Sequence, residues 1–280
     1  MQALRIVTIN TGKGDGAYRP RIDWLAEELA ALEPDVVALQ ESFRDRAGDF
    51  DTAETLIRRT GLTGCWSPAR LKRRWCDGRE VESWSGMALL SRIPLSQVDI
   101  IDLPADPDDG DRVAQVGYFE AEDRRIVIAN LHLTHLRERD DLRSEQLQCV
   151  LEHPQMRADE AIRLVCGDFN TTLAGPVLGE LVGDGPFGSV TDAYTAGGGP
   201  RDRATLKPRA GATEGRCVDH ILSVAPSGSE HPVFTSSAVV LKRPQPGTGL
   251  LPSDHFGVAT TLLPLRTSRR PSREERELVG

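Results

Sequence analysis

Short apolar runs, each ending in a cluster of polar or ionisable residues, punctuate the chain and limit what it can fold into. Residues 161–166 lead into Gly167-Asp168-Phe169-Asn170, Val218 and Ile221-Leu222 enclose Asp219-His220, and Ser253-Asp254-His255 opens onto Phe256-Gly257-Val258. Such runs read as buried strands. Carboxylates, amides and imidazoles at strand ends are costly to bury unless they pair with one another or hold a metal. The pattern predicts one catalytic site assembled from distant parts of the sequence.

At 280 residues the chain suffices for one large α/β domain or two small ones, and can bury roughly 75% of its unfolded surface. No internal repeat and no clean linker is visible, so one domain over residues 1–265 is expected. Residues 266–280, rich in Arg and Glu with little apolar content, read as a charged, flexible tail. Forty-two acidic against 34 basic residues give a net charge of −8. That balance argues against holding nucleic acid by bulk electrostatics, but leaves a local basic groove open. Five cysteines without a CxxC spacing fit reduced thiols better than a disulfide frame or a zinc site. The first strand begins at about Leu4, leaving no room for a signal peptide, and no apolar run reaches the ~18 residues of a membrane span. A cytoplasmic monomer without a membrane span is the expectation.

Residues 22–32 carry apolar positions at helical spacing, Pro34-Asp35 ends that helix, and Val36-Val37-Ala38-Leu39 reads as a buried strand delivering Gln40-Glu41 to its end. A second helix is predicted over 51–60 and a third over 137–151. Strands are predicted over 85–91, 97–103, 112–122, 125–133, 217–224, 234–241 and 255–263, with 104–110 an acidic loop and 183–188 and 197–200 rich in turns. Sheets with helices on their outer faces fit this order.

Singly, the polar residues have bland readings. Glu41 is a surface carboxylate or helix cap, Asn10 satisfies a turn, and His255 is an exposed imidazole at a strand start. Together, Asn10, Glu41, Asp168, Asn170 and Asp254 offer hard oxygen ligands and no thiolates, which suits Mg²⁺ or Mn²⁺. Asp219 can fix the tautomer of His255 and raise its pKa. His132, alternating with Leu131 and Leu133, faces either solvent or a polar cleft.

The ordered set Thr8-Ile9-Asn10, Asp35-Val36-Val37-Ala38-Leu39-Gln40-Glu41, residues 85–92, Asn130-Leu131-His132-Leu133, Gly167-Asp168-Phe169-Asn170, residues 218–222 and Ser253-Asp254-His255 resembles the endonuclease/exonuclease/phosphatase family. The resemblance runs from about Leu4 to Leu263. It implies a four-layer α/β/β/α sandwich and a Mg²⁺- or Mn²⁺-dependent hydrolase of a phosphate-ester substrate. Glu41 would be the principal metal ligand, with Asn10 and Asp254 near the same ion. Asp168 and Asn170 would orient the attacking water and contact the phosphate. His255, held by Asp219, would be general base or charge partner, with the choice between Asp168 and His255 as base left open. At the His132 position, relatives that repair abasic sites carry Tyr, whereas deoxyribonucleases and sphingomyelinases carry His. Arg112 and His135 are candidate substrate-binding residues, against surface and loop alternatives. A phosphodiesterase is the first reading; a nuclease on DNA or RNA, or a member reduced to a binding scaffold, are the alternatives.

Three weaker signals remain. Residues 12–16 lack the GK[ST] ending of a P-loop and read as a mobile loop beside Asn10. Residues 70–75, flanked by Trp66 and Trp84, read as a solvated loop with Trp anchors in the core, or else as a grip for a phosphate or base. Arg201, Arg203, Lys207, Arg209 and Arg216 offer a second basic lip.

Overall fold

In the computed structural model, residues 3–121, 124–158, 160–207 and 215–264 are described. The expected tail at 266–280 and Arg209 lie outside them. The strands are β1 (Leu4–Asn10), β2 (Val36–Asp45), β3 (Thr63–Cys76), β4 (Arg79–Ser91), β5 (Gln97–Leu103), β6 (Arg112–Ala121), β7 (Arg124–His132), β8 (Ile162–Asp168), β9 (Gly183–Gly185), β10 (Gly188–Asp192), β11 (Asp219–Ala225), β12 (Phe234–Val240) and β13 (Gly257–Leu262). Three longer helices, α1 (Tyr18–Ala31), α2 (Thr52–Thr60) and α3 (Asp140–Leu151), are joined by the short α4 (Pro176–Gly179) and α5 (Ala193–Ala196). One sheet has six strands, in the order β12-β13-β1-β2-β4-β3; the other has seven, β5-β6-β7-β8-β11-β10-β9.

Strand alternation sorts the apolar side chains into three layers, because successive residues point to opposite faces. Val7, Ile9, Val37 and Leu39 pack on Ile22 and Leu25 of α1 and Leu56 of α2. Their neighbours Ile6, Val36 and Ala38 turn inward to meet Ile126, Ile128, Leu164 and Ile221 of the second sheet. On its far side Val127, Ala129, Val165 and Leu222 pack against Leu147, Val150 and Leu151 of α3. The result is the four-layer α/β/β/α sandwich. Each fully buried aliphatic side chain in these layers contributes about 1.5–3 kcal/mol.

Polar side chains cross the inter-sheet layer below one end of β1, β2 and β7. Gln40 Nε2 donates to Asn130 Oδ1 at 2.8 Å, and Asn130 Nδ2 donates to Leu39 O, Ala88 O and Gln115 Oε1 at 3.0–3.1 Å. These bonds fix the relative position of the strand ends that carry the polar clusters.

Several expectations need correction. β2 does not stop at Leu39: it continues to Asp45 through a bulge between Leu39 and Ser42. Residues 70–75 are no irregular loop but part of a long hairpin of β3 and β4, in which Trp75 is 70% exposed. The turn-rich stretch at 183–188 pairs as β9 and β10. The charged third helix begins at Asp140 rather than 137. Arg203 forms no free basic lip, because it is taken by Asp192 at 2.6 Å and lies over the Tyr194 ring.

Candidate active site

Two strand pairings in the second sheet bring three site residues together. The parallel register of β7 and β8 sets His132 beside Asp168, and the antiparallel register of β8 and β11 sets Asp219 opposite it. His132 Nε2 lies 3.4 Å from Asp168 Oδ2, so His132 faces a polar cleft and not solvent. Gly167 has φ +146°, and a Cβ there would stand 2.0 Å from Leu131 O. Only glycine permits that approach of β8 to β7. Past the strand, Asn170 adopts φ 52°. Its N–H donates to Asp168 Oδ1 at 2.9 Å and its Nδ2 to Leu133 O at 3.0 Å.

The first sheet supplies the rest. Asn10, at the end of β1, donates from Nδ2 to Asp168 Oδ2 at 3.0 Å. His255, just before β13, places Nδ1 2.9 Å from Asp219 Oδ2 and Nε2 3.7 Å from Asp168 Oδ2. Ser253 Oγ donates to Asn10 O at 2.7 Å and accepts from the His255 N–H, tying this segment to β1. Glu41 sits in the β2 bulge at φ 52°. A bulge re-aims a side chain, and a left-handed glutamate costs of order 1–3 kcal/mol, which is the kind of strain concentrated at functional sites.

Lys13 Nζ lies 2.8 Å from Glu41 Oε1. Its loop is held by the buried Arg21, whose guanidinium donates to the carbonyls of Thr11, Gly12, Lys13, Asp15 and Pro252. Arg21 thereby clamps the loop at 11–15 to the segment carrying Ser253-Asp254-His255. Asp254 is exposed, and its Oδ1 packs where a Cβ on Gly12 would stand. Gly12 in turn donates its N–H to Asn10 Oδ1 at 3.0 Å.

Burial, and then repulsion by Asp219, pushes the Asp168 carboxyl up to about 6, against the opposing pull of His255 and hydrogen bonds from Asn10 and Asn170. Burial by itself disfavours a charged His255, but Asp219 and Asp168 outweigh it and hold the imidazolium up to about 10. Burial, reinforced by Arg112 and Lys13, drives His132 well below the ordinary imidazole range. The site thus pairs a neutral imidazole with a charged one. Burial also raises Glu41, opposed by Lys13, and its carboxyl feels both His255 and Asp168.

Asp168, Asp219 and His255 bring one ligating atom each within 4.8 Å of one another. Both imidazole nitrogens already face carboxylates, so the imidazolium itself serves as their cation. Glu41 differs. It is a half-buried carboxylate that the Lys13 ammonium neutralises, with the Asn10 amide and the Asp254 carboxylate carried by neighbouring segments. That hard-oxygen set fits Mg²⁺ or Mn²⁺.

On the cleft's far side Arg112 makes two hydrogen bonds to Asp109, at 2.9 and 2.6 Å, and a long one to His132 O. His135 Nδ1 lies 2.8 Å from the same carboxylate. Asp109 was invisible in the sequence as anything but one acidic residue of the loop at 104–110. Lys13 was likewise hidden in a loop defined by its glycines; only its position three residues after Asn10 marks it.

Solved structures share the fold. An endonuclease/exonuclease/phosphatase family protein from Leptotrichia buccalis superposes with a TM-score of 0.72 at 18% identity, covering 93% of this chain and 99% of that one. A family protein from Bacteroides vulgatus gives 0.71 at 18%, covering 94% and 99%. D. rerio TDP2 complexed with single-strand DNA product gives 0.68 at 19%, also covering 94% and 99%. At these identities the likeness establishes the fold alone. No curated protein matches the chain. The endonuclease/exonuclease/phosphatase family, by contrast, matches residues 7–255, which takes in each of the motifs converging on the cleft, and the chain belongs to that family.

Proposed function

We propose that the protein is a divalent-metal-dependent phosphoesterase that hydrolyses a phosphodiester by in-line attack of water, with one catalytic domain over residues 1–265. The observation that carries this reading is His255, set between Asp219 and Asp168 where the two sheets meet. Glu41, Asn10 and Asp254 are assigned to Mg²⁺ or Mn²⁺. When bound there, the ion supplies positive charge against the phosphate oxygens.

The chain's own groups divide the remaining work. Asp168, oriented by Asn10 and by the Asn170 N–H, accepts the proton of the attacking water. The Asn170 amide and the neutral His132 contact the phosphate. His255 presents a fixed positive charge to the phosphoryl oxygens, and Asp219 holds its tautomer and direction. Arg112, steadied by Asp109, and His135 bind the substrate's anionic flank. Five free cysteines suit a reducing compartment, so a cytoplasmic monomer remains the proposal. Among the described residues no helix is long and apolar enough to cross a membrane.

A nuclease is the second reading, favoured by the basic residues lining the cleft and by the structural neighbour complexed with single-strand DNA product. Release of p-nitrophenol from bis(p-nitrophenyl) phosphate, with Mg²⁺, with Mn²⁺ and with EDTA, tests the main proposal. Turnover that EDTA abolishes supports it. Inactivity with both metals on this ester and on nucleic acid would leave the scaffold alternative.

A further inference from the structure

The two faces of the β3–β4 hairpin differ in a way that catalysis at a single phosphate does not explain. On the outer face Arg73 stands across from Glu82 and pairs with Glu80 at 3.6 Å, Leu71 stands across from Trp84, and Trp75 projects into solvent. On the inner face Arg70, Lys72 and Arg74 stand across from Ser85, Ser83 and Val81, none of which carries a charge. Alternation at the strand rise sets successive cations about 6.6 Å apart, in a row about 13 Å long.

This row forms one wall of a cleft of about 310 Å³ that also reaches Glu41, His132 and Arg112. Among the described residues, no carboxylate oxygen lies within ion-pair distance of Arg70, Lys72 or Arg74. Arg70 donates to the backbone carbonyl of Asp109 and Arg74 to Ser83 O and Oγ, which orients both without neutralising them. The nearby Asp109 carboxylate is occupied by Arg112 and His135. Burial, then Arg70 and Arg74, lower the Lys72 pKa, as expected for a cation among cations. An aligned row of like charges opening onto the candidate site calls for an anion with more than one charged centre.

We infer that Arg70, Lys72 and Arg74 form a second phosphate-binding subsite, so that the preferred substrate carries at least one further phosphate beside the one cleaved. The inference rests on the phosphoesterase reading for the scissile position. It selects against substrates with a single phosphate. Two sources offer the required chemistry, a single-stranded oligonucleotide backbone and a small molecule bearing several phosphates. Trp75 lies on the opposite face and takes no part.

Two measurements separate this subsite from the chemistry. In EDTA, fluorescence anisotropy with a labelled oligothymidylate reads binding alone, and displacement by inorganic tripolyphosphate or unlabelled oligothymidylate identifies the source. With Mg²⁺, the quantity is kcat/KM for the oligothymidylate divided by that for bis(p-nitrophenyl) phosphate. Lys72→Gln, at an exposed position, is expected to weaken anisotropy binding about fivefold to tenfold and to reduce its salt slope by about one. Arg70→Gln/Lys72→Gln is expected to lower the kcat/KM ratio at least about tenfold, while Arg73→Gln on the outer face leaves it unchanged. Tripolyphosphate displacing the label far more strongly than oligothymidylate assigns the site to a small polyphosphate, and the reverse assigns it to nucleic acid. No detectable binding in EDTA, or equal behaviour of the Lys72 and Arg73 variants, overturns the inference. Wild-type inactivity on both esters would instead sink the hydrolase proposal, with the anisotropy result still deciding the subsite.

Discussion

His255 Nδ1 stands 2.9 Å from Asp219 Oδ2, although one residue leads into the six-stranded sheet and the other begins β11 of the seven-stranded sheet. The contact is buried on both sides, so its geometry depends on how the sheets pack. Removing Asp219's charge should therefore act on His255 itself. Asp219→Asn is expected to lower kcat by an intermediate factor and His255→Ala to lower it on the order of 10²-fold or more, with circular dichroism melts showing a folded protein. Wild-type rates in His255→Ala would remove the role assigned to it.

The pH profile follows from the same contacts. In the proposed mechanism Asp168 acts deprotonated and His255 protonated, so kcat/KM is expected to rise through about 6 and fall through about 10. Because the two groups interact, these limits belong to the pair. Asp219→Asn removes the main support of the imidazolium and should move the alkaline limb to lower pH. An alkaline limb that stays in place would assign it to another group.

Glu41 is expected to control the cation. In wild type, Mg²⁺ or Mn²⁺ should raise the melting temperature, since a ligand that binds only the folded state stabilises it by mass action. Glu41→Gln should lose most of that shift and need far more metal for turnover. Equal metal-induced shifts in the two proteins would place the ion elsewhere.

Asp109 holds both Arg112 and His135, the two residues proposed to bind the substrate's anionic flank. Asp109→Asn keeps the shape of the side chain but removes the charge that steadies both, so KM should rise by about tenfold, the lower end of what one hydrogen bond to a charged group contributes. The change should fall on KM more than on kcat. An equal fall in kcat with unchanged KM would point to a role at the reacting atoms.

His220 sets a stability limit in acid. It is fully buried, with Nε2 3.0 Å from Thr171 O and Nδ1 facing Arg203, and burial lowers its pKa to about 4. The unfolded chain takes up this proton near the ordinary imidazole value of about 6.5, so it binds more protons than the folded one in between. Folding stability from this residue is thus lost as pH falls from about 6.5 to about 4, by up to about 3 kcal/mol. Chemical denaturation of wild type and His220→Gln across that range isolates it, because groups such as Asp168 titrate in both. Parallel stability curves would contradict the assignment.

The layers were legible because Val36-Val37-Ala38-Leu39 and its counterparts are apolar at every position, as a strand buried on both faces must be. The second-sheet site residues were legible for the same reason, since a polar residue ending such a run has few uses. The β3–β4 hairpin was not. Its residues 70–75 alternate cations with Leu71, Arg73 and Trp75 at a sheet edge, so neither face gives the apolar signal of a core strand. Glu41's bulge was equally hidden, because a left-handed glutamate follows from its pairing with β4 and not from its neighbours in sequence. Lys13 and Asp109 acquire their significance only from partners 28 residues or 3 and 26 residues away.

Anomalous diffraction from crystals soaked in Mn²⁺ tests most directly where the cation sits. A peak is expected at coordination distance, about 2.2 Å, from the Glu41 carboxylate, with Lys13 displaced and the His255–Asp219 contact intact. A peak instead between Asp168, Asp219 and His255, or no peak at a Mn²⁺ concentration that supports turnover, would contradict the division of the site into a metal half and an imidazolium half.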